Sequence, residues 1–334
     1  MTPVGILGFS GYSGIELLEI LKRHSHVEPI LLEHRETVAT PGPLGQKGPQ
    51  RIAYSPEAVH DLKLAAVFLA TPAEVSMELA GPILNAGAKV IDLSGAFRLG
   101  TVENYKRWYK ESHTQPELLA EAVYSVPEFC RERVPGARLI SNPGCYPTAA
   151  NLAIRPLIER GAVRREYGII CDAKSGVSGA GRKPSLKTSF CEVTENFSAY
   201  QILDHRHVPE VLAVSGLEDH EFSFTAQLIP VHRGILETIY FRTSDAISSA
   251  NDLLDIYLKR YQGEPFVRVY PCPAVPDLRA VSHSNFCDIG FKFDQSSGRA
   301  VVVCAIDNLG KGAAGQAVQN LNLALGFKET EGLL

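Results

Sequence analysis

The 334-residue chain has no uninterrupted apolar stretch approaching the roughly 20 residues a membrane-spanning helix needs. It has no excess of positive charge. Its 33 Lys and Arg stand against 37 Asp and Glu, a formal net charge of −4, so neither a nucleic acid nor a membrane surface is an expected partner. Seven scattered cysteines include no Cys-x-x-Cys pair, which argues against a disulfide framework or a zinc site and for a reducing cytoplasm. The opening residues MTPVGILGFSGYSG lack a basic stretch and a small-residue cleavage site, so no secretory signal is expected. No fixed-period repeat or low-complexity tract occurs. What remains is ordinary globular composition, 45% hydrophobic and 21% charged, at a length that suggests two domains, each with its own core.

The first part alternates apolar runs with helical patterns. VGILGF (residues 4–9) precedes a glycine turn and then SGIELLEILKRH, where Ile15, Leu17, Leu18, Ile20 and Leu21 recur at helical spacing. Ser13 and Glu16 fit a capping box at its start. PILLEH, LAAVFLATP and KVIDLSG read as further strands, the last two bracketing a helix-like AEVSMELAGPILNAGA. Alternation of this kind predicts a parallel sheet covered on both faces. Beyond Cys145 the pattern becomes strand-rich (YGIICDAKS, FSFTAQLIPV, GILETIYFRT, NFCDIGFKFD, RAVVVCAID), with one clear helix in AISSANDLLDIYLKRY. We therefore expect an α/β chain with a Rossmann-like domain over 1–145, a second α/β domain with a mixed or antiparallel sheet over 146–307, and a C-terminal segment, 308–334, returning to the first.

Gly8, Gly11 and Gly14 space a strand-to-helix turn in which Ser10 stands near the middle glycine of a dinucleotide fingerprint. Such a turn must be tight, admit a pyrophosphate against its backbone, and aim helix N–H groups at it. Three glycines alone are also what an ordinary turn contains. The end of the second strand gives two opposed signals. Glu33 suits a ribose diol, whereas His34 and Arg35 suit a 2′-phosphate; the cationic pair favours NADP.

SNPGCYPTAANLAIRP holds Cys145 between a Pro-Gly pair and a helical run, with Pro147 in the first turn. A cysteine at a helix N-terminus is favoured as a thiolate, the nucleophilic form. Cys171, Cys287 and Cys304 lie in apolar strand-like runs and read as packing residues, and Cys130, Cys191 and Cys272 have no supporting context. A nucleophile needs a proton partner. DHRHVPE offers His205 and His207, which share a face if the segment is a strand and could converge if it is a turn, in the domain opposite the cysteine. No third ligand accompanies them, so no metal site is expected. AKSGVSGAGRKPS (Ala173 to Ser185) reads either as a phosphate-wrapping loop or as an ordinary surface loop.

GFSGYSG, VIDLSGAFRL, SNPGCYPTAA, DAKSGVSGAGRKPS, DHRHVPEV, PVHRGIL, EPFVRV and AIDNLGKGAAGQAVQNLN occur in this order along nearly the whole chain. Together they resemble the N-acetyl-γ-glutamyl-phosphate reductases of arginine biosynthesis, with wider kinship to aspartate-semialdehyde and phosphorylating glyceraldehyde dehydrogenases. The resemblance implies an NADP(H)-dependent enzyme that reduces an acyl phosphate to a semialdehyde through a cysteine thioester, usually as a homodimer or homotetramer. It implies Cys145 as nucleophile, and His207 or His205 as the proton-transfer group. Gly8, Ser10, Gly11, Tyr12, Gly14, Arg35, Ser178, Gly179 and Asn308 fall to the cofactor. Arg98, Asn142, Lys174 and Ser175 fall to the small-molecule substrate, with Ser178 also in a segment near its phosphate. Gln227, His232, Arg279 and His283 depart from the usual pattern and bear on substrate identity. A carrier-linked aminoadipyl phosphate is the alternative substrate, and a non-catalytic NADP sensor the alternative class.

Overall fold

The computed structural model describes residues 1–34 and 48–334. It divides into two compact units, Met1–Pro143 with Ala314–Leu334, and Gly144–Ala313. Arg35 lies outside the described residues.

In the first unit, β1 (Thr2–Leu7), β2 (Val27–Glu33), β3 (Arg51–Ala53), β4 (Ala66–Leu69), β5 (Lys89–Asp92), β6 (Val123–Tyr124) and β7 (Leu139–Ser141) form one sheet in the order β3-β2-β1-β4-β5-β7-β6. Every neighbouring pair is parallel. Helices α1 (Tyr12–Leu21), α2 (Pro56–Asp61), α3 (Ala73–Asn85), α4 (Val102–Tyr109), α5 (Pro116–Glu121) and α6 (Pro127–Cys130) connect the strands. The period-2 alternation of strand side chains feeds two cores. Val67 and Leu69 pack with α2 and α3 through Val59, Val75, Leu79 and Ile83. Ala66 and Phe68 face the opposite way, toward Leu17, Ile20 and Leu21 of α1 and Ala317, Val318 and Leu321 of the C-terminal helix (Gly315–Leu325). That returning helix is tied down by His24 Nε2 to Asn322 Oδ1 (2.8 Å), and the tail behind it by a bidentate Arg131–Glu329 pair (2.8 and 3.0 Å).

The second unit is built on β8 (Ile169–Gly176), β9 (Ser198–Tyr200), β10 (Phe222–Ile229), β11 (Ile235–Arg242), β12 (Val267–Val269), β13 (Cys287–Asp294) and β14 (Arg299–Ile306), in the order β12-β13-β14-β11-β8-β10-β9. The sheet is mixed. β8/β10 and β12/β13 are parallel and the other pairs antiparallel. Its helices are α7 (Cys145–Glu159), α8 (Phe190–Val193), α9 (Val208–Ser215) and α10 (Ala250–Tyr261). One sheet face is closed by α7 and α10, cross-braced by the Tyr257 hydroxyl to the Ala153 carbonyl (2.7 Å) and Tyr261 to Leu152. The other face carries Ile170, Asp172, Lys174, Thr238 and Tyr240; Ile170 and Tyr240 pair across strands and are 52% and 41% exposed.

Two expectations need correction. The first helix begins at Tyr12 with Gly11 as its N-cap, so Ser13 is inside the helix and no Ser13–Glu16 capping box caps its start; the Gly11 N–H closes on the Gly8 carbonyl (3.0 Å) and starts the helix early. Of the two alternatives for His205 and His207 the structure has the turn, and what needs correction is their domain. His207 is the N-cap residue of α9, and both histidines belong to the unit that Cys145 opens, not to one opposite it.

On the closed face Glu237 is fully buried, its Oε2 accepting from the Cys171 thiol (3.6 Å), and burial pushes its carboxyl well above the ordinary 4.5. The native state therefore keeps a proton that the unfolded chain releases above that value. This contribution to stability is full below the unfolded value and declines as pH rises past it. Glu237→Gln is expected to melt higher than the parent at about pH 8, with the gap closing toward about pH 4 in calorimetry.

Candidate active site

Gly144 caps α7 from extended backbone (φ −67°, ψ 156°), and Cys145 is the first helical residue. Pro147 occupies the first turn, where its missing N–H removes no helical hydrogen bond. That turn contains no acidic residue, so the positive end of the helix dipole acts on the thiol unopposed by its own helix. The cap is held from outside. The Gly144 N–H donates to Glu210 Oε2 at 2.9 Å, and the Thr148 N–H and hydroxyl both donate to the Gly144 carbonyl, at 3.0 and 2.9 Å. Asn151 accepts from the Ser215 hydroxyl at 2.7 Å, fastening α7 to α9 further along.

Glu210 also faces His207, its Oε1 lying 3.9 Å from Nε2. One buried carboxylate thus spans the helix cap beneath the cysteine and the imidazole. The spacing arises because His207 and Glu210 are three apart at the start of α9 and share a helix face. His205 has a different setting. Its Nδ1 accepts the His207 N–H (3.2 Å), and its ring packs against His207 (4.8 Å between centroids), Tyr146 and Phe224. Burial, reinforced by the Arg206 charge, pulls its pKa down to about 4. His205 is therefore neutral at physiological pH, with its ring proton on Nε2. The Tyr146 hydroxyl meets that of Tyr200 at 3.0 Å, and burial together with Tyr200 pushes the Tyr146 phenol far up, so it stays un-ionised.

Ser175, Ser178, Gly179 and Asn308 are brought together. Asn308 Nδ2 donates to the Ser178 hydroxyl (3.0 Å) while its Oδ1 accepts the Gly234 N–H (2.7 Å). A Cβ on Gly179 would lie 2.9 Å from Ser175 Oγ and 3.7 Å from Asn308 Nδ2, so glycine permits the approach. Lys174 does not join them. Adjacent strand residues point to opposite faces, and Lys174 is on the open face, bonded to Asp172 Oδ2 at 2.7 Å. Gln227 donates to the other Asp172 oxygen (2.6 Å) and completes a polar cluster there.

In the first unit, Gly8 has φ +78° and a Cβ there would sit 2.2 Å from the Ala70 carbonyl oxygen; one on Gly14 would sit 2.3 Å from that of Gly8. Only glycine closes this turn. At Gly11 the same test meets only the Gly8 oxygen, at 3.4 Å. Tyr12 follows as the first residue of α1, after a turn carrying Ser10. The turn joins β1 to α1 beside β4, where the strand order reverses, the position at which parallel α/β sheets bind dinucleotides. These residues fit a nicotinamide dinucleotide. Arg98 donates to the carbonyls of Asn142 (2.9 Å) and Leu93 (2.8 Å), and buried Asn142 accepts from Asn320 (3.1 Å).

Two family models match the chain. Residues 3–137 match the semialdehyde dehydrogenase NAD-binding domain, and 145–308 the semialdehyde dehydrogenase dimerisation domain. The chain is 46% identical to N-acetyl-gamma-glutamyl-phosphate reductase from Symbiobacterium thermophilum, over 99% of this chain and 97% of that one. It is 45% identical to the same enzyme from Shouchella clausii, at the same coverage. The chain belongs to the N-acetyl-γ-glutamyl-phosphate reductase family. Among solved structures, aspartate semialdehyde dehydrogenase II of Vibrio cholerae complexed with ASA superposes with a TM-score of 0.74 at 19% identity, covering 98% of each chain. Aspartate semialdehyde dehydrogenase with NADP from Candida albicans gives 0.71 at 15%, covering 98% and 99%. Their likeness is one of fold, and family membership carries with it a nicotinamide cofactor.

Sequence reasoning missed Glu210 and Tyr200 as members of this site. The signal for Glu210 was available: an acidic residue three positions after His207, just past a proline that starts a helix. Tyr200 reaches Tyr146 only through the short edge strand β9, which has no strong pattern of its own.

Proposed function

We infer that the chain reduces N-acetyl-γ-glutamyl phosphate to the corresponding semialdehyde, releasing phosphate, with NADPH as cofactor. The observation that carries this reading is Cys145 at the N-terminus of α7 with buried Glu210 joining its cap to His207. The Cys145 thiolate attacks the acyl carbon. A C–S bond forms, the C–O bond to phosphate breaks, and a thioester on Cys145 remains. When bound, the reduced nicotinamide supplies the hydride that brings the thioester to the aldehyde level. His207 gives a proton to the carbonyl oxygen as charge develops there, and takes it back as the C–S bond breaks and the aldehyde leaves. His205, held neutral, buttresses the His207 backbone through Nδ1. Ser175, Ser178, Gly179 and Asn308 form a polar wall for cofactor and substrate groups, and Arg98 is a cation for the phosphate. The direct test is oxidation of N-acetylglutamate semialdehyde by NADP⁺, which must require inorganic phosphate; turnover without phosphate contradicts the reading.

NADPH is preferred over NADH because His34 and Arg35 follow β2, where a 2′-phosphate would lie. Arg35→Ala is expected to raise the KM for NADPH by about tenfold or more and leave that for NADH nearly unchanged in steady-state assays. The protein works as a homodimer or homotetramer in a reducing cytosol, where the thiolate persists. The open sheet face supports dimerisation: Ile170 and Tyr240 expose apolar surface beside the Asp172–Lys174 pair. Ile170→Asp is expected to halve the assembly's mass in sedimentation equilibrium, dimer to monomer or tetramer to dimer; an unchanged mass moves the interface elsewhere.

A further inference from the structure

Gly312 touches the cysteine. A Cβ at this position would lie 2.9 Å from Cys145 Cβ and 3.3 Å from its Cα. Gly312 belongs to a single π-helical turn, Gly310–Ala314, that leads out of β14, and such turns are uncommon enough that each needs a local cause.

The cause is Asp307. Fully buried, it accepts the N–H groups of Leu309 (2.8 Å) and Gly310 (2.9 Å) on Oδ1 and that of His283 (2.6 Å) on Oδ2. Arg233 adds Nε and Nη2 to Oδ1 (3.2 and 3.1 Å), with Nε 3.0 Å from Oδ2. The Gly312 N–H donates to the Asp307 carbonyl at 2.9 Å. Arg233 Nη1 reaches His283 Nδ1 at 2.9 Å, and His283 sits at φ 58°, a left-handed conformation that a histidine keeps only when its surroundings fix it. A Cβ on Gly310 would lie 2.2 Å from the Ser284 carbonyl oxygen, so the turn is pressed against that loop. Lys311, also fully buried, lies 5.8 Å from the centre of the Phe266 ring.

We propose that Asp307, clamped by Arg233 and His283, is a positioning residue for Cys145, acting through the Gly310–Ala314 turn and the contact at Gly312. The proposal rests on Cys145 being the nucleophile. A buried carboxylate that gathers three N–H groups and a guanidinium fixes the turn far more rigidly than a loop of these residues would be alone. A rigid wall at Gly312 confines the cysteine backbone and, with it, the path of the thiolate. Arginine is required at 233 because a lysine lacks the fork that binds Asp307 and His283 together. His283, one of the departures from the family pattern, becomes part of this clamp.

Two variants test it, Gly312→Ala and Arg233→Lys, each verified for native circular dichroism and NADPH binding. The readouts are kcat, KM, and the rate of Cys145 alkylation by iodoacetamide relative to exposed Cys191, resolved by peptide mass spectrometry. Displacing a reacting atom by about 1 Å lowers kcat by about a hundredfold. Both variants are expected to show a loss of this order, at unchanged KM, with a matching fall in the Cys145-to-Cys191 alkylation ratio. A folded variant of either kind that keeps the wild-type kcat and alkylation ratio overturns the clamp. Cys145→Ser is assayed alongside; turnover surviving that change removes the nucleophile reading itself, independently of the clamp.

Discussion

Cys145→Ser is expected to lower acyl-phosphate reduction by on the order of a thousandfold or more while dinucleotide binding is retained. Serine fills nearly the same volume at the first position of α7, so the Gly144–Glu210 bond and the helix persist. What disappears is the thiolate. A hydroxyl is not ionised by a helix terminus near neutral pH, and without an ionised nucleophile no thioester forms. Activity is read as NADPH consumption with the acyl phosphate, and binding by fluorescence titration of NADPH. The other six cysteines provide the contrast. Cys171, Cys287 and Cys304 are fully buried in the sheet, and burial raises the Cys171 and Cys304 thiols well above their ordinary value. Cys304→Ser is accordingly expected to disturb stability and leave the chemistry in place.

The second large effect is at His207. His207→Ala is expected to lower kcat by about a hundredfold to ten-thousandfold, the usual range for a positioned proton-transfer group. His205→Asn should fall well short of that, because His205 is already neutral and its contribution is the hydrogen bond to the His207 N–H. Glu210→Gln separates two roles of one residue. The amide keeps an oxygen for the Gly144 N–H but carries no charge toward His207. Its kcat should lie between wild type and His207→Ala with KM unchanged. Pre-steady-state assays of the three variants give the order. A His205 variant as impaired as the His207 variant would exchange their roles.

Much of this was readable in the sequence where local pattern and tertiary demand agree. Gly8, Gly11 and Gly14 between an apolar run and a helical repeat announced the β1–α1 turn, because the close approach of Gly8 to Ala70 and of Gly14 to Gly8 tolerates no side chain. Cys145 was legible because Pro147 and the preceding glycine mark a helix start. Legibility ended where placement depends on partners distant in the chain. Lys174 sits beside Ser175 in sequence, and the phosphate-loop composition around it suggested a shared role; strand alternation sends the two to opposite faces and Asp172 takes the ammonium. The His205–His207 spacing fits a strand as well as a turn, and only the Pro209–Glu210 helix start distinguishes them. Asp307 could not be found from its neighbours alone, since three of its five donors, two on Arg233 and the His283 N–H, are distant in the chain.

The most direct measurement is mass spectrometry of the enzyme mixed with N-acetyl-γ-glutamyl phosphate in the absence of NADPH and quenched in acid within milliseconds. The mechanism predicts one N-acetylglutamyl group per chain, carried on the peptide containing Cys145 and discharged when NADPH is added before the quench. An unmodified Cys145 peptide under conditions where the same preparation turns over with NADPH would contradict it.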